Sequence, residues 1–150
     1  MSARGFTLVE LMIVLAVAGT LAVVVAPTLS SYARTAALQA AARQLATSIN
    51  FARQLAISRN VAVCVEVHSA ASLRLRTGGC TGPTWTGPGT DGNGAIKISD
   101  ASPLQISSTS PVVFTSLGAA VPAGSYTLTN PTDRATRTVV IAATGRVSVR

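Results

Sequence analysis

Acidic side chains are scarce in this chain, and so is almost everything else that catalysis needs. Five Asp and Glu, one histidine and two cysteines are all that 150 residues offer for acid–base, nucleophilic or metal chemistry. Glu66, Asp91, Asp100 and Asp133 are scattered with no spacing that suggests a paired acid and base. No GxSxG, HExxH or P-loop occurs. His68 reads as a polar residue at a strand end. Asp91-Gly92-Asn93-Gly94 starts like a calcium loop but lacks the later acids, and reads as a turn. No enzyme, no cofactor and no metal is therefore expected. Lysine is nearly missing too: Lys97 is the exception among twelve basic residues, and the formal net charge is +7. That balance suits an anionic partner, nucleic acid or a membrane surface.

What the chain does have stands at its N-terminus. A polar head with Arg4 ends at Gly5, and an apolar run of 21 residues follows from Phe6 to Ala26. At 1.5 Å per residue it is about 31 Å long as a helix, enough to cross a bilayer. A secretory signal would be shorter and would end in a small-x-small cleavage site. Instead the run continues through Thr28–Ser58, which contains no Gly or Pro. One acid, Glu10, interrupts the apolar run. A charge at a helix centre in lipid costs about 2.5–3.5 kcal/mol, less near a helix N-terminus, so Glu10 is a functional candidate.

Gly5-Phe6-Thr7-Leu8-Val9-Glu10 resembles the class III signal of type IV pilins and pseudopilins. The resemblance implies that prepilin peptidase cuts after Gly5 and methylates Phe6, and that Glu10 meets a neighbour's N-terminal amine during filament assembly. It also implies a helix kink at Pro27. Other pilins or pseudopilins are the implied partners, through the N-terminal helix. The implied location is the bacterial inner membrane, single-pass with a periplasmic head, and later a periplasmic or surface filament. Small residues Ala16, Ala18, Gly19 and Ala22 would let such helices approach closely.

The remaining pattern predicts an α+β fold, a long N-terminal helix packed on an antiparallel β-sheet head. The divisions are a leader at 1–5, a transmembrane and assembly helix at 6–27, an amphipathic helix at 28–58 and a β-rich head at 59–150. Leu38, Ala41, Ala42, Leu45, Ile49, Ala52, Leu55 and Ala56 recur at helical spacing and should pack on a sheet. From Val61 the period becomes two: Val61, Val63, Val65 and Val67 predict a strand, and Leu73–Arg76 its hairpin partner. Thr77–Gly94 holds seven glycines and reads as an irregular loop carrying Trp85. Further strands are expected at Ala95–Ile98, Pro111–Thr115, Tyr126–Thr129, Thr138–Ala143 and Arg146–Arg150, with a tight turn at Thr144-Gly145.

The helix-to-strand junction Phe51–Val65, the order Cys64, Cys80, Trp85, and the ending Gly145-Arg146-Val147-Ser148-Val149-Arg150 resemble the GspH/FimT family. That family includes minor pilins of type IV pili and minor pseudopilins of type II secretion. In an oxidising compartment Cys64 and Cys80 are expected to form a disulfide; the competing metal pair would have only His68 and no CxxC spacing. In the FimT branch a C-terminal Gly-Arg-x-Arg is associated with DNA binding. Here Ser148 holds the second arginine's place and the next arginine is Arg150. Arg146, Ser148 and Arg150 would share one strand face, with Val147 and Val149 turned to the core. Arg134 and Arg137 are candidates for the same double-stranded DNA contact. The expected function is a minor pilin near a filament tip, with a type II secretion pseudopilin as the alternative.

Overall fold

The computed structural model describes residues 7–99 and 104–150, with the backbone alone for residues 24–28. One helix, α1, spans Leu8–Arg59. It ends because Asn60 turns left-handed, at a φ of 52°. The Asn60 amide then bonds to Ile57 O at 3.3 Å and the Val61 amide to Ala56 O at 3.2 Å, the paired bonds of a Schellman stop. Val61 therefore belongs to the helix cap and not to the strand expected there, which begins two residues later.

Among the described residues eight strands follow: β1 Val63–Ser69, β2 Ser72–Thr77, β3 Ala95–Lys97, β4 Gln105–Ser108, β5 Val112–Phe114, β6 Gly124–Thr129, β7 Thr136–Ile141 and β8 Val147–Val149. They form two four-stranded sheets, ordered β3-β2-β1-β5 and β4-β6-β7-β8, and every pairing is antiparallel. The α+β expectation holds, with two sheets in place of one. β4 was not expected. Its sequence, Gln-Ile-Ser-Ser, buries only Ile106 and carries no hydrophobic alternation.

By its contacts the chain divides into two units, Met1–Ala36 and Ala37–Arg150. In the first, every side chain described from Thr7 on is exposed, including Leu8, Leu11, Ile13 and Leu15. Among the described residues no helix is long and apolar enough to cross a membrane; the apolar run of Phe6–Ala26 extends past the described side chains at both ends. The ring of Pro27 also lies outside them, so its kink stays an expectation.

The second unit holds the core. All eight residues of the helical stripe, Leu38 to Ala56, are buried against both sheets' inner faces. Long-range polar contacts join the layers. The Tyr126 hydroxyl, from β6, donates to Val65 O at 2.8 Å and accepts from the Val112 amide at 3.2 Å, so it ties one sheet to two strands of the other. Burial pushes that hydroxyl's pKa up to about 12, against a smaller opposing effect of the Val112 bond. Arg53, on α1, donates through Nε to Gly118 O at 2.9 Å. Gly145 has a φ of 78°, and a Cβ on it would run into that same Gly118 carbonyl. Helix, β5–β6 loop and β7–β8 turn thus meet at one point.

Candidate functional site

Glu10 is the first candidate, and the structure gives it a local partner. Thr7 precedes the helix, and its hydroxyl accepts from the Glu10 amide at 3.3 Å. The Glu10 carboxylate reaches back to the Thr7 amide at 3.1 Å and to the Thr7 hydroxyl at 3.2 Å. This is a reciprocal capping box, Thr-x-x-Glu, which satisfies two of the helix's orphan amides. The Thr-x-x-Glu spacing is legible in the sequence, and the cap adds a local role to the assembly contact expected of the acid. Gly5 and Phe6, the expected processing site, lie outside the described residues.

The arginine edge is the second. β7 pairs with β8 through Val139↔Val149, Val140↔Ser148 and Ile141↔Val147. Arg146, Ser148 and Arg150 therefore alternate to the face opposite buried Val139 and Ile141. Together with Val140, Ala142 and Val149 they line a shallow hollow of about 370 Å³. Val147 packs partly against the core, whereas Val149 remains 41 % exposed. β8 is an edge strand, so among the described residues its outer side pairs with no further strand. The four arginines do not lie on one strand face. Arg137 falls on the core-side alternation of β7, and its guanidinium donates to the neighbouring Thr136 carbonyl at 3.3 Å. Arg134 sits in the β6–β7 turn at a φ of 57°. Only Arg146 and Arg150 share a face.

The outer face of the first sheet carries the disulfide loop. Cys64 and Cys80 are bonded, with Cα atoms 5.0 Å apart. Arg76 holds the loop from below, through Glu66 at 2.8 Å and Gly82 O at 3.1 Å. Trp85 is buried, its ring 5.2 Å from that of Phe51 on the helix. His68 ends up beside Arg74, whose guanidinium lies 2.9 Å from Nε2; a guanidinium only donates, so Nε2 accepts. Asp91 Oδ1 accepts the amides of Asn93 at 2.9 Å and Ala95 at 2.8 Å, closing the expected turn. Those bonds, Ala95's first, hold its carboxyl below the usual carboxylate range. Among the described residues no three His, Cys, Asp or Glu stand close enough to hold a metal ion.

The family described as type II transport protein GspH matches residues 41–145, well over half of the chain. This chain belongs to the GspH family. The prokaryotic N-terminal methylation motif matches residues 1–26 of the same GspH-family chain. Two crystal forms of the type IV minor pilin FimU of Pseudomonas aeruginosa (strain PAO1) share its fold. The first is 19 % identical, covers 79 % of this chain and 92 % of that one, and has a TM-score of 0.57. The second is 21 % identical, covers 75 % and 92 %, and has a TM-score of 0.53. No curated protein sequence matches significantly. The expected family and pilin fold are thereby shown, and the GspH-family chain is a pilin-like subunit carrying a membrane-anchoring, N-methylation type of N-terminus.

Proposed function

We propose that this chain is a non-enzymatic minor pilin of a type IV pilus, cut after Gly5, methylated at Phe6 and assembled at or near the filament tip. Its divisions follow as leader 1–5, assembly helix 6–27 bending at Pro27, amphipathic helix 28–58 and β head 59–150. The observation that carries this reading is the union, in one chain, of a methylation motif over 1–26 and a GspH head over 41–145. The shared fold with FimU minor pilins supports a pilus. The family description itself supports the second reading, a minor pseudopilin of type II secretion.

The mechanism is assembly. In lipid an acid without partners is costly. Before assembly the Thr7 amide and hydroxyl hold the Glu10 carboxylate; in the filament a neighbour's N-terminal amine takes it over. The charge is partnered at both stages. A deletion strain scored together for piliation, DNA uptake and secreted protein tests the choice. Loss of piliation or uptake with intact secretion supports the pilus; loss of secretion alone defeats it in favour of the pseudopilin.

Within this reading, contact with double-stranded DNA rests on Arg146 and Arg150, the two arginines that share a face. Two neutralised phosphates give a slope of about −1.8 in log K against log salt. A gel shift absent at low salt, or unchanged by Arg146→Ala with Arg150→Ala, removes the DNA contact.

A further inference from the structure

Arg34 and Tyr32 stand alone in their stretch of chain. Arg34 is the only charged residue between Glu10 and Arg43, and Tyr32 the only aromatic between Phe6 and Phe51. Both lie on α1 just past the apolar run, where every side chain from Leu29 to Ala36 is exposed. Tyr32 is 73 % exposed. The Arg34 side chain lies back along the helix: its Nη2 donates to Ser30 Oγ at 3.4 Å, one turn nearer the apolar run. Its remaining N–H groups bond to no other described residue. Tyr32, two residues before Arg34, is about 200° away around the helix, so the two project from opposite faces.

Depth decides what meets them. The 21 residues of Phe6–Ala26 match a hydrocarbon layer of about 30 Å. Headgroups add about 5–8 Å on each side of that layer. With Ala26 at the boundary, Ser30 lies about 6 Å beyond it and Tyr32 about 9 Å. Helical side chains slant toward the N-terminus, here toward the bilayer, so the Tyr32 ring falls below its own Cα. The bond to Ser30 brings the Arg34 guanidinium down to the same layer. Tyrosine and arginine are side chains that anchor a helix end among headgroups. The forked N–H groups of a guanidinium pair there with phosphate oxygens. A partner helix would cover one face of α1, whereas headgroups surround it and meet both. We propose that Arg34, drawn back by Ser30, binds a phospholipid phosphate in the leaflet at the Ala26 end, with the Tyr32 ring lodged among the headgroups on the opposite face. The pair fixes how deep the helix sits, and leaving the bilayer for a filament has to break it.

This site rests on the helix crossing the bilayer, as the filament reading requires before assembly. The test uses the full-length chain with nitrogen-15 arginine, in vesicles of phosphatidylglycerol and phosphatidylethanolamine. Dephasing of guanidinium nitrogen by phosphorus-31 reports contact with phosphate. A dephased signal is expected that Arg34→Gln removes and Arg43→Gln leaves in place. No dephased signal, or one that Arg34→Gln leaves unchanged, overturns the proposal. In vesicles of digalactosyldiacylglycerol, which carry no lipid phosphate, the Arg34 signal should be absent. Inorganic phosphate added to the buffer should not restore it; restoration identifies a site for the free ion and overturns the lipid source. Ring-to-headgroup proton contacts are expected for Tyr32 and not for buried Tyr126, and their absence removes Tyr32 from the site. A label on Val14→Cys, scored for shielding from a water-soluble quencher, checks insertion separately. A shielded label without the Arg34 signal defeats the phosphate site alone. An unshielded label defeats the membrane reading, and the site with it.

Discussion

Tyr126→Phe is the substitution that most directly weighs how the two sheets are joined. The ring and its packing stay; only one oxygen is removed. That oxygen donates to Val65 O at 2.8 Å and accepts from the Val112 amide at 3.2 Å, both buried. Two hydrogen bonds contribute about 1 kcal/mol each, and a buried group left without a partner costs about 1–3 kcal/mol. These overlap, so a loss of about 2–4 kcal/mol is expected. For a unit of this size that lowers the melting temperature by about 8–20 °C. Urea unfolding of the oxidised full chain in detergent micelles, followed through the single tryptophan, measures it. The alkaline limb supplies an independent reading. The hydroxyl is held protonated to about 12 in the folded state, above its ordinary 10. The folded state thus binds that proton more tightly, so the stabilisation is complete below pH 10 and disappears as pH rises from 10 through 12. The amount is about 2–3 kcal/mol. Wild-type protein should lose it there, and the Phe variant should show no such loss. Equal urea midpoints, or the same alkaline loss in both proteins, would refute the reasoning.

Gly145→Ala adds left-handed strain and drives a Cβ into the Gly118 carbonyl, so a loss above about 2 kcal/mol is expected in the same urea assay. Replacing Cys64 and Cys80 together by Ser opens a loop of sequence separation 16 and should cost about 3 kcal/mol; equal midpoints with and without the bond would contradict this. Thr7→Val removes the hydroxyl of the capping box and should destabilise the first helical turn by about 1 kcal/mol, read as faster exchange of the Glu10 amide, with residues beyond Ala37 unchanged. Asp91 has a depressed carboxyl, so its contribution is complete above its ordinary 3.8 and is lost as pH falls through the lower folded value; the Asn93 and Ala95 amide shifts should titrate with a midpoint below 3.8.

The helical stripe was legible because periodicity is local. Leu38 to Ala56 needed only their own spacing to show which face is buried, and all eight are. The hairpin of β1 and β2 was legible for the same reason. β4 was not, since a strand whose pairing residues are Gln and Ser announces itself only through its partner, β6. Val149 was assigned to the core by alternation, which holds for a strand with neighbours on both sides; β8 has one. Arg137 does not share the face of Arg146, because alternation along β7 sets it with Val139 and Ile141; Arg134 lies in the turn before that strand, where alternation does not apply. The capping partner of Glu10 was within reach three residues upstream.

The sequence by itself determined the parts whose physics is local: an apolar run with one acid, an amphipathic helix, strands of alternating valine, and a cysteine pair. These suffice for the family. Only the tertiary structure decided what joins them. The Tyr126–Val65 and Arg53–Gly118 bonds span 61 and 65 residues, and no local pattern encodes a partner so distant. It also decided what stays uncovered, the arginine edge of β8 and the side chain of Leu117. Exposure depends on which elements stack beside a residue, and stacking is settled only when the whole core closes.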